Sequence, residues 1–416
     1  CGCSVGSGSS SSSSCCSSSS SWSMNADALL RNCKVAEVGS PIGGAFKYQA
    51  AVAAANGKVY AIPFALAVRR VLEYDPISDC TNEIGDDLDD ANARYVAAVP
   101  AGNGKLFAVP CNARWALKID PQRGEVREFG QELAFGGLKY QAAVVGSNSM
   151  IYGVPFNARR FLEINPETGT SLEVGPELPS GGFKYLCGVA VPDGRVYAIP
   201  FDARRVLEFD PIAGTVREIG PEFAEGGAKY ASAVMAPNGL IYALPCAARR
   251  VLEISPAVGD AREVGPELPA GVFKYQAAAV GANGGVYAIP FDASRVLEFD
   301  PQSRDIKEIG PELLQAEKYV AAVAADNGRI YAVPADARRV LEIWPEDGVV
   351  REVGPHLPDT KEKYQTAVAA PNGKVYALPF NADRVLEVSP PTRAEHDVEV
   401  SPPTRAEHDV WLNMLD

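Results

Sequence analysis

Basic residues recur along this chain at fixed spacings, and their chemistry suits the binding of anions. A lysine or arginine precedes a recurring tyrosine, and arginines stand two and three residues before a recurring leucine. These three columns hold eight, seven and six residues, which is 21 of the chain's 39 lysines and arginines. A guanidinium is a planar fork of donors that pairs well with carboxylate, sulfate or phosphate. The columns therefore predict a basic surface that holds an anionic ligand.

The candidate ligand-binding residues belong mainly to the column two residues before the leucine. Its seven arginines are Arg70, Arg160, Arg205, Arg250, Arg295, Arg339 and Arg384. Trp115 takes the arginine's place in one copy. Asp202 and Asp292 come three residues before an arginine of this column. We predict that these ten residues lie on one face and contact an anionic glycan or an acidic segment of a protein.

An alternative interpretation uses the same charges inside the protein. A glutamate follows the recurring leucine in seven copies, and another stands two residues before a recurring glycine in all eight. A third acidic column consists of Asp87, Glu132, Glu177, Glu222, Glu267 and Glu312. An unpaired buried charge is costly, so repeated ion pairs are expected wherever these charges are buried. In that case the arginines hold the repeats together and few of them remain available for a ligand.

The elements that carry these columns are short β-strands. The recurring tyrosine stands at eight positions, 44 to 47 residues apart: Tyr48, Tyr95, Tyr140, Tyr185, Tyr230, Tyr275, Tyr319 and Tyr364. In the fourth copy, the segments KYLCGVAV (184–191), RVYAIP (195–200), RVLEFD (205–210) and TVREIG (215–220) are rich in β-branched and aromatic residues. Asn-Gly pairs at several equivalent turns indicate β-hairpins. Four such strands, repeated eight times, predict an all-β, eight-bladed β-propeller with four antiparallel strands per blade.

The size of the side chains indicates how each blade is oriented. Positions two and three residues after the recurring tyrosine hold small residues, such as Ala50 and Ala51, which suits a first strand crowded around a central channel. The strand-like segment KVAEVG (34–39) precedes the first copy, whereas the last copy (364–389) has no clear fourth strand. We therefore predict a Velcro closure, in which the N-terminal strand completes the last blade and removes a free sheet edge. The alternative fourth strand is AEHDV (394–398).

The repeat resembles those of known propellers. The segment VYAIPFDARRVLEFDPIAGTVREIG (196–220) is similar to the YVTN/NHL type, and the fuller pattern around KY and PNGKVYALP resembles repeats in uncharacterised propeller proteins of algae and other protists. The resemblance covers residues 34–390 and implies blades, not a particular chemistry. Kelch, WD40 and sialidase motifs do not occur in this pattern.

An enzymatic function is the alternative to a binding or scaffold function. Of the three histidines only His356 lies within the repeats, and the nine cysteines show no paired spacing. We therefore predict no catalytic residues, no metal site and no cofactor. The alternative is a hydrolase or lyase that acts on an anionic sugar at the mouth of the channel. Its site would be sought in the first two blades, which depart from the repeat at PFALAVRR (63–70) and CNARWALK (111–118).

The two ends of the chain lie outside the repeats. Residues 1–33 form a serine-rich leader that we expect to be disordered, with Met24 as the expected start of translation. Residues 391–416 form a tail in which EVSPPTRAEHDV (387–398) is duplicated at 399–410. If the leader belongs to the protein, its cysteines allow a third possibility, a lipid-anchored propeller.

Composition limits the partners and the compartment. The formal net charge is −13, which disfavours nucleic acid as a partner. No run of 18 apolar residues occurs, so no transmembrane segment is predicted. We expect a monomer in the cytoplasm that acts as a binding or scaffold module for an unknown protein or an anionic glycan.

Overall fold

The computed structural model describes residues 33–88, 93–224 and 227–391, which form strands, turns and loops. Thirty-two strands are arranged in eight antiparallel sheets of four strands each. The sheets form a ring, which is the predicted all-β, eight-bladed β-propeller. Within these residues there is no helix that is long and apolar enough to cross a membrane.

Each blade contributes one strand to each of four concentric layers. The inner strands are β2 (Tyr48–Ala53), β6 (Tyr95–Pro100), β10 (Tyr140–Val145), β14 (Tyr185–Ala190), β18 (Tyr230–Met235), β22 (Tyr275–Val280), β26 (Tyr319–Ala324) and β30 (Tyr364–Ala369). The second strands are β3 (Val59–Pro63), β7 (Leu106–Pro110), β11 (Ile151–Pro155), β15 (Val196–Pro200), β19 (Ile241–Pro245), β23 (Val286–Pro290), β27 (Ile330–Pro334) and β31 (Val375–Pro379).

The outer two layers complete the sheets. The third strands are β4 (Val71–Asp75), β8 (Ala116–Asp120), β12 (Phe161–Asn165), β16 (Val206–Asp210), β20 (Val251–Ser255), β24 (Val296–Phe299), β28 (Val340–Trp344) and β32 (Val385–Ser389). The outermost strands are β5 (Cys80–Ile84), β9 (Glu125–Phe129), β13 (Thr170–Val174), β17 (Thr215–Ile219), β21 (Asp260–Val264), β25 (Ile306–Ile309), β29 (Val349–Val353) and β1 (Lys34–Val38). Blades 1 to 7 begin at β2, β6, β10, β14, β18, β22 and β26, and blade 8 consists of β30, β31, β32 and β1.

The first described strand belongs to the last blade. β1 pairs antiparallel with β32, and Lys34 lies opposite Ser389 while Val38 lies opposite Val385. Val35 also packs into the apolar cluster between blades 7 and 8. The segment AEHDV (394–398) lies outside the described residues.

Tyrosine hydroxyl groups use up two of the acidic columns. The second-strand tyrosine donates to the third-strand glutamate of the same blade, as Tyr197 does to Glu208 at 2.8 Å and Tyr331 to Glu342 at 2.9 Å. The inner-strand tyrosine reaches the outermost strand, as Tyr95 does to Glu128 at 2.8 Å. A buried hydroxyl needs a partner, so the third-strand glutamates lie in or at the edge of the blade interior, whereas outermost-strand glutamates such as Glu173 and Glu263 stay exposed.

Glycine at the end of the outermost strand allows neighbouring blades to approach closely. Gly85 has a φ of +77°, and a Cβ atom there would stand 2.5 Å from the Cβ of Val126 in the next blade. Gly214, in a turn of blade 4, has a similar φ of +66° but nothing within 4 Å of a Cβ atom. The two glycines therefore separate the effect of backbone conformation from the effect of space.

We expect Gly85→Ala to destabilise the protein more than Gly214→Ala. The left-handed backbone costs an alanine about 1–2 kcal/mol at either position. The overlap with Val126 should add about 1–3 kcal/mol at Gly85 alone. Urea unfolding of both variants measures the difference, and equal losses of unfolding free energy would contradict the close approach of the two blades.

Candidate ligand-binding face

A closed belt of main-chain hydrogen bonds surrounds the channel on the top face, which is the face that carries the loops between second and third strands and the loops between blades. The belt joins the basic residue before each inner strand to the residue after each second strand. Its pairs are Lys47 and Phe64, Arg94 and Cys111, Lys139 and Phe156, Lys184 and Phe201, Lys229 and Cys246, Lys274 and Phe291, Lys318 and Ala335, and Lys363 and Phe380. One hydrogen bond lies within each pair and one joins it to the next, at 2.8–3.3 Å. The Lys47 N–H, which donates to the Phe380 carbonyl at 2.9 Å, closes the ring.

The basic side chains of the belt are buried and hold the loops between blades. Lys139 donates from Nζ to the carbonyl groups of Ala134 and Gly136, at 2.8 and 2.9 Å. The other belt lysines donate to main-chain carbonyl groups in the same way. Burial lowers the pKa of Lys139 and of Lys184 to about 8. This basic column is therefore structural, because its ammonium groups are spent on carbonyl oxygens beneath the surface.

The arginines predicted to bind a ligand stand in a ring outside the belt. Five of them, Arg160, Arg205, Arg250, Arg295 and Arg384, donate to the carbonyl of the glycine that ends the outermost strand of their blade. Arg205 also pairs with Glu222, and Arg70 pairs with Asp87 at 2.8 Å. Among the described residues, Arg160, Arg250, Arg295 and Arg384 form no ion pair. We call these four the carbonyl-bound arginines; each is half-buried and keeps donors that a single carbonyl does not use.

The neighbouring arginine column is paired with carboxylates. Arg114 pairs with Glu132 at 2.8 Å, and Arg249 pairs with Glu267 at 3.0 Å. Arg159, Arg204 and Arg338 pair in the same way with Glu177, Glu222 and Asp359. These side chains are about half exposed, so each pair contributes little to stability. Their charge is nevertheless balanced on the surface, as the alternative interpretation expects.

The aspartate and asparagine column supports the backbone of the next blade. Asp202 accepts a hydrogen bond from the Ala228 N–H at 3.0 Å, and Asp292 accepts one from the Glu317 N–H at 3.0 Å. Ala228 and Glu317 have positive φ angles of 47° and 53°. The carboxylates therefore stabilise an unusual backbone conformation, and their position on the top face follows from that role.

The two blades that depart from the repeat carry matched changes. The longer loop of blade 1 is held by Arg94, which replaces the usual lysine and donates to the carbonyl groups of Ala65 and Val68, at 2.8 and 2.9 Å. In blade 2, Phe107 stands where other blades have a tyrosine, and Lys118 stands opposite it in place of the glutamate. Without a hydroxyl donor the blade needs no carboxylate acceptor. Trp115 accepts a hydrogen bond from Tyr95 through its carbonyl group, at 3.1 Å.

Phenylalanines around the belt were not part of the sequence-based prediction. Phe46, Phe183 and Phe273 precede belt lysines and are 47%, 46% and 40% exposed. Phe46 packs edge-on against Phe380 with ring centroids 5.3 Å apart, and Phe183 packs against Phe156 at 5.0 Å. The signal for these residues was the position before the lysine, where six blades have an apolar residue. We call Phe46, Phe183 and Phe273 the mouth phenylalanines.

Blades 7 and 8 replace these apolar residues with acids. Glu317 and Glu362 line a cavity of about 200 Å³ at the mouth, together with Gln276, Val320 and Gln365. Burial, and then the nearby carboxylates of Asp336 and Glu317, raise the pKa of Glu362. The mouth therefore has apolar residues at this position in blades 1 to 6 and an acidic sector at blades 7 and 8.

Many solved protein structures have a similar fold. A streptogramin B lyase structure matches with a TM-score of 0.56 and 14% identity, over 86% of this chain and 98% of that one. Virginiamycin B lyase from Staphylococcus aureus, in a catalytically inactive form with quinupristin, matches with a TM-score of 0.56 and 14% identity, over 71% and 94%. The extracellular domain of the putative hybrid two component system BT4673 from B. thetaiotaomicron matches with a TM-score of 0.52 and 9% identity, over 82% and 52%.

These likenesses show a β-propeller. At such low identity they show the fold alone, and the matched structures include a lyase and the extracellular domain of a two component system, so the fold does not select a function. No protein-family model and no curated protein matches this chain. The function must therefore be argued from the top face itself.

Reactive groups are few in the described part of the chain. No three histidine, cysteine, aspartate or glutamate side chains in it are placed to hold a metal ion. Burial raises the pKa of the Cys111 and Cys187 thiols to about 12. Thiols with such high pKa values are poor nucleophiles, because the thiolate is the reactive form.

Proposed function

We propose that this propeller is a binding module whose top face holds an acidic protein segment with aromatic or large apolar side chains. The observation that carries the proposal is the combination of the mouth phenylalanines with the carbonyl-bound arginines. Aromatic residues and arginine are the residue types that contribute most at protein interfaces. We also propose, from the sequence pattern of residues 196–220, that the repeat is of the YVTN/NHL type.

The acidic character of the segment is argued from charge. The outer arginines are paired with carboxylates, whereas the carbonyl-bound arginines have neutral acceptors within the described residues. A carboxylate of the ligand can accept from the free donors of these guanidinium groups without displacing another acid. The mouth phenylalanines would contact the apolar side chains of the same segment.

A peptide series tests this proposal on the full chain. The peptides are a soluble peptide with two phenylalanines and six glutamates, one with glutamines for the glutamates, and one with alanines for the phenylalanines. We expect the first to bind in fluorescence anisotropy and to weaken as salt increases, because the carboxylate contacts are screened. The other two should bind at least about tenfold more weakly, since each lacks one contact type.

Two double variants test whether the acidic peptide binds to the top face. The double change Phe183→Ser and Phe273→Ser should weaken the acidic peptide about tenfold, which is what the loss of two half-exposed aromatic contacts predicts. The matched control is Ile212→Ser with Val258→Ser, which alters exposed apolar residues (85% and 76%) in turns on the opposite face. Equal losses in both double variants would refute the proposed face. Binding of a sulfated polysaccharide in place of every peptide would refute a protein segment as the ligand.

A hydrolase is the second candidate, and the acidic cavity at the mouth favours it. Glycoside hydrolysis needs one protonated and one ionised carboxyl group. Glu362, whose pKa is raised, would be the acid, and Glu317 would be the base or nucleophile. The sugar expected at such a site is an anionic one, which is tested with fluorogenic glycosides of glucuronate and, for comparison, of glucose. Hydrolysis that is lost in Glu362→Gln but kept in Arg250→Gln would favour this candidate over the binding module.

A further inference from the structure

A basic side chain normally reaches the third-strand glutamate on the bottom face, which is the face that carries the turns within each blade. It stands directly before the second strand, as Lys58, Arg195, Arg329 and Lys374 do in blades 1, 4, 7 and 8. These side chains pair with Glu73, Glu208, Glu342 and Glu387 at N–O distances of 2.7–3.1 Å. Four blades therefore have the same site for a cation, and in each of them a lysine or arginine of the same blade occupies it.

Blade 6 has the carboxylate but not the basic side chain. Gly285 stands at the equivalent position. Glu298 accepts a hydrogen bond from the Tyr287 hydroxyl at 2.9 Å. Within the described residues it forms no ion pair. A cavity of about 340 Å³ lies here, and both Gly285 and Glu298 line it.

In blade 5 the third-strand glutamate also lacks the usual basic side chain, but an arginine from blade 6 pairs with it. Blade 5 has Leu240 at the basic position, yet its Glu253 pairs with Arg262 at 2.7 Å and with Arg304 at 3.0 Å. Arg304 belongs to a turn of blade 6 and has a φ of 61°. The same turn position in blades 4 and 7 also has a positive φ, at Gly214 and Gly348, so the conformation belongs to the turn, and the contact gives Glu253 a second cation.

Among the described residues, no side chain of blade 7 forms an ion pair with Glu298, and Lys307, which lies opposite Glu298 on β25, does not pair with it either. The turn of blade 7 that corresponds to Arg304 has a glycine, Gly348. Blade 3 differs again, because Met150 occupies the basic position there and packs against the apolar cluster that contains Tyr152. Blade 6 thus combines an unfilled space with a carboxylate that pairs with a cation in blades 1, 4, 5, 7 and 8.

The lining of the cavity is acidic and polar. Glu298, Asp300 and Asp305 contribute three carboxylates against the single ammonium group of Lys307, which gives a formal charge of −2. Asn283 donates to the Tyr287 hydroxyl at 2.8 Å and so fixes one wall. The Gln302 N–H, which donates to Asp300, lowers the pKa of that carboxyl group, so Asp300 is ionised at neutral pH.

We propose that this cavity binds a guanidinium or primary ammonium group on a short aliphatic chain, in the place of the basic side chain that blade 6 lacks. The cation would pair with Glu298, as Lys58 and Arg195 pair with Glu73 and Glu208. Its aliphatic chain would occupy the space beside Gly285. The cavity volume is within the range of small-ligand sites.

The test uses butylguanidinium, with 1-butanol as the neutral analogue, in ligand-observed NMR titrations of the full chain. Butylguanidinium is expected to bind and 1-butanol is not. Glu298→Gln should weaken binding at least about tenfold, because the ion pair is lost. Gly285→Arg should abolish binding, because the new side chain fills the cavity as Arg195 does in blade 4. N-acetylarginine methylamide, as a second probe, distinguishes a side chain of a partner protein from a free small molecule.

The control is Glu163→Gln, the equivalent glutamate of blade 3, where Met150 occupies the basic position. This variant should bind butylguanidinium as the unaltered protein does. Binding that survives Gly285→Arg, or that falls equally in Glu298→Gln and Glu163→Gln, would overturn the proposal. Binding that appears only after Lys307→Ala would also overturn it, because Lys307 would then be the natural occupant. Melting curves of each variant confirm that it is folded.

Discussion

Replacing Glu342 with glutamine is expected to lower the free energy of unfolding by about 3–5 kcal/mol, which is the usual cost of breaking a buried ion pair from one side. Glu342 is fully buried on β28 and pairs with Arg329 at 2.9 Å and Arg351 at 2.7 Å. Both guanidinium groups lie over the Trp344 ring, 3.8 and 4.7 Å from its centroid. Without the carboxylate, Arg329 and Arg351 would lose their shared acidic partner while both remain beside Trp344 in blade 7.

The matched control is Glu387→Gln in blade 8. Its carboxylate has the same place in the repeat, but its side chain is 15% exposed, and within the described residues its one ion pair is with Lys374, which is 38% exposed. We expect a loss below about 1.5 kcal/mol there, because water can replace the lost partner. Urea unfolding at pH 7 measures both variants. A loss in Glu342→Gln no greater than in the control would contradict the buried network.

The same network predicts a pH dependence. Burial alone would raise the pKa of Glu342, but the Trp344 indole and the two arginines more than offset it, so the pKa lies below its usual value of 4.5. A carboxyl group with a lowered pKa stabilises the folded state at pH values above its unfolded pKa, and this contribution is lost as the pH falls through the folded pKa. The difference between the unaltered protein and Glu342→Gln should therefore be constant near neutral pH and shrink below about pH 4.5.

Deleting β1 is expected to prevent the ring from remaining a stable monomer. Without residues 33–39, blade 8 would have three strands and β32 would expose an unpaired edge. Free edges recruit other strands, so we expect dimers or larger aggregates in size-exclusion chromatography with light scattering.

Complementation provides the control for this deletion. A peptide of residues 33–41 should restore the monomer by adding a strand to the free edge. The same peptide with Val35→Asp should not, because Val35 packs into the apolar cluster of blades 7 and 8. A deletion variant that stays monomeric and as stable as the full chain would show that β1 is dispensable.

The blades could be predicted from the sequence because the information is repeated eight times. The alternating strands, the turns and the tyrosine columns all agree with one architecture, and the structure has the eight predicted sheets. The partners of the arginines could not be predicted in the same way. Arg250 donates to the main-chain carbonyl of Gly265. Every residue has such a carbonyl group, so the sequence does not indicate which one accepts the hydrogen bond.

Some other features of the two faces can be predicted from the sequence, but only by comparing the eight copies of the repeat. The replacement of a basic residue by Gly285 is visible once the eight copies are aligned. That Arg304 crosses to Glu253 in blade 5 is not, because a contact between blades depends on the rotation from one blade to the next. The joint change of Phe107 and Lys118 likewise becomes understandable only when the two residues are seen opposite each other.

The closed belt of hydrogen bonds fixes the size of the channel opening on the top face. Each of its links is a hydrogen bond of 2.8–3.3 Å, and the last link joins Lys47 to Phe380, so no link is free to lengthen alone. A ligand cannot widen such an opening by moving one blade, because two links would have to break. A ligand at the mouth therefore binds a preorganised surface. This reduces the conformational entropy lost on binding and excludes ligands that do not fit the opening.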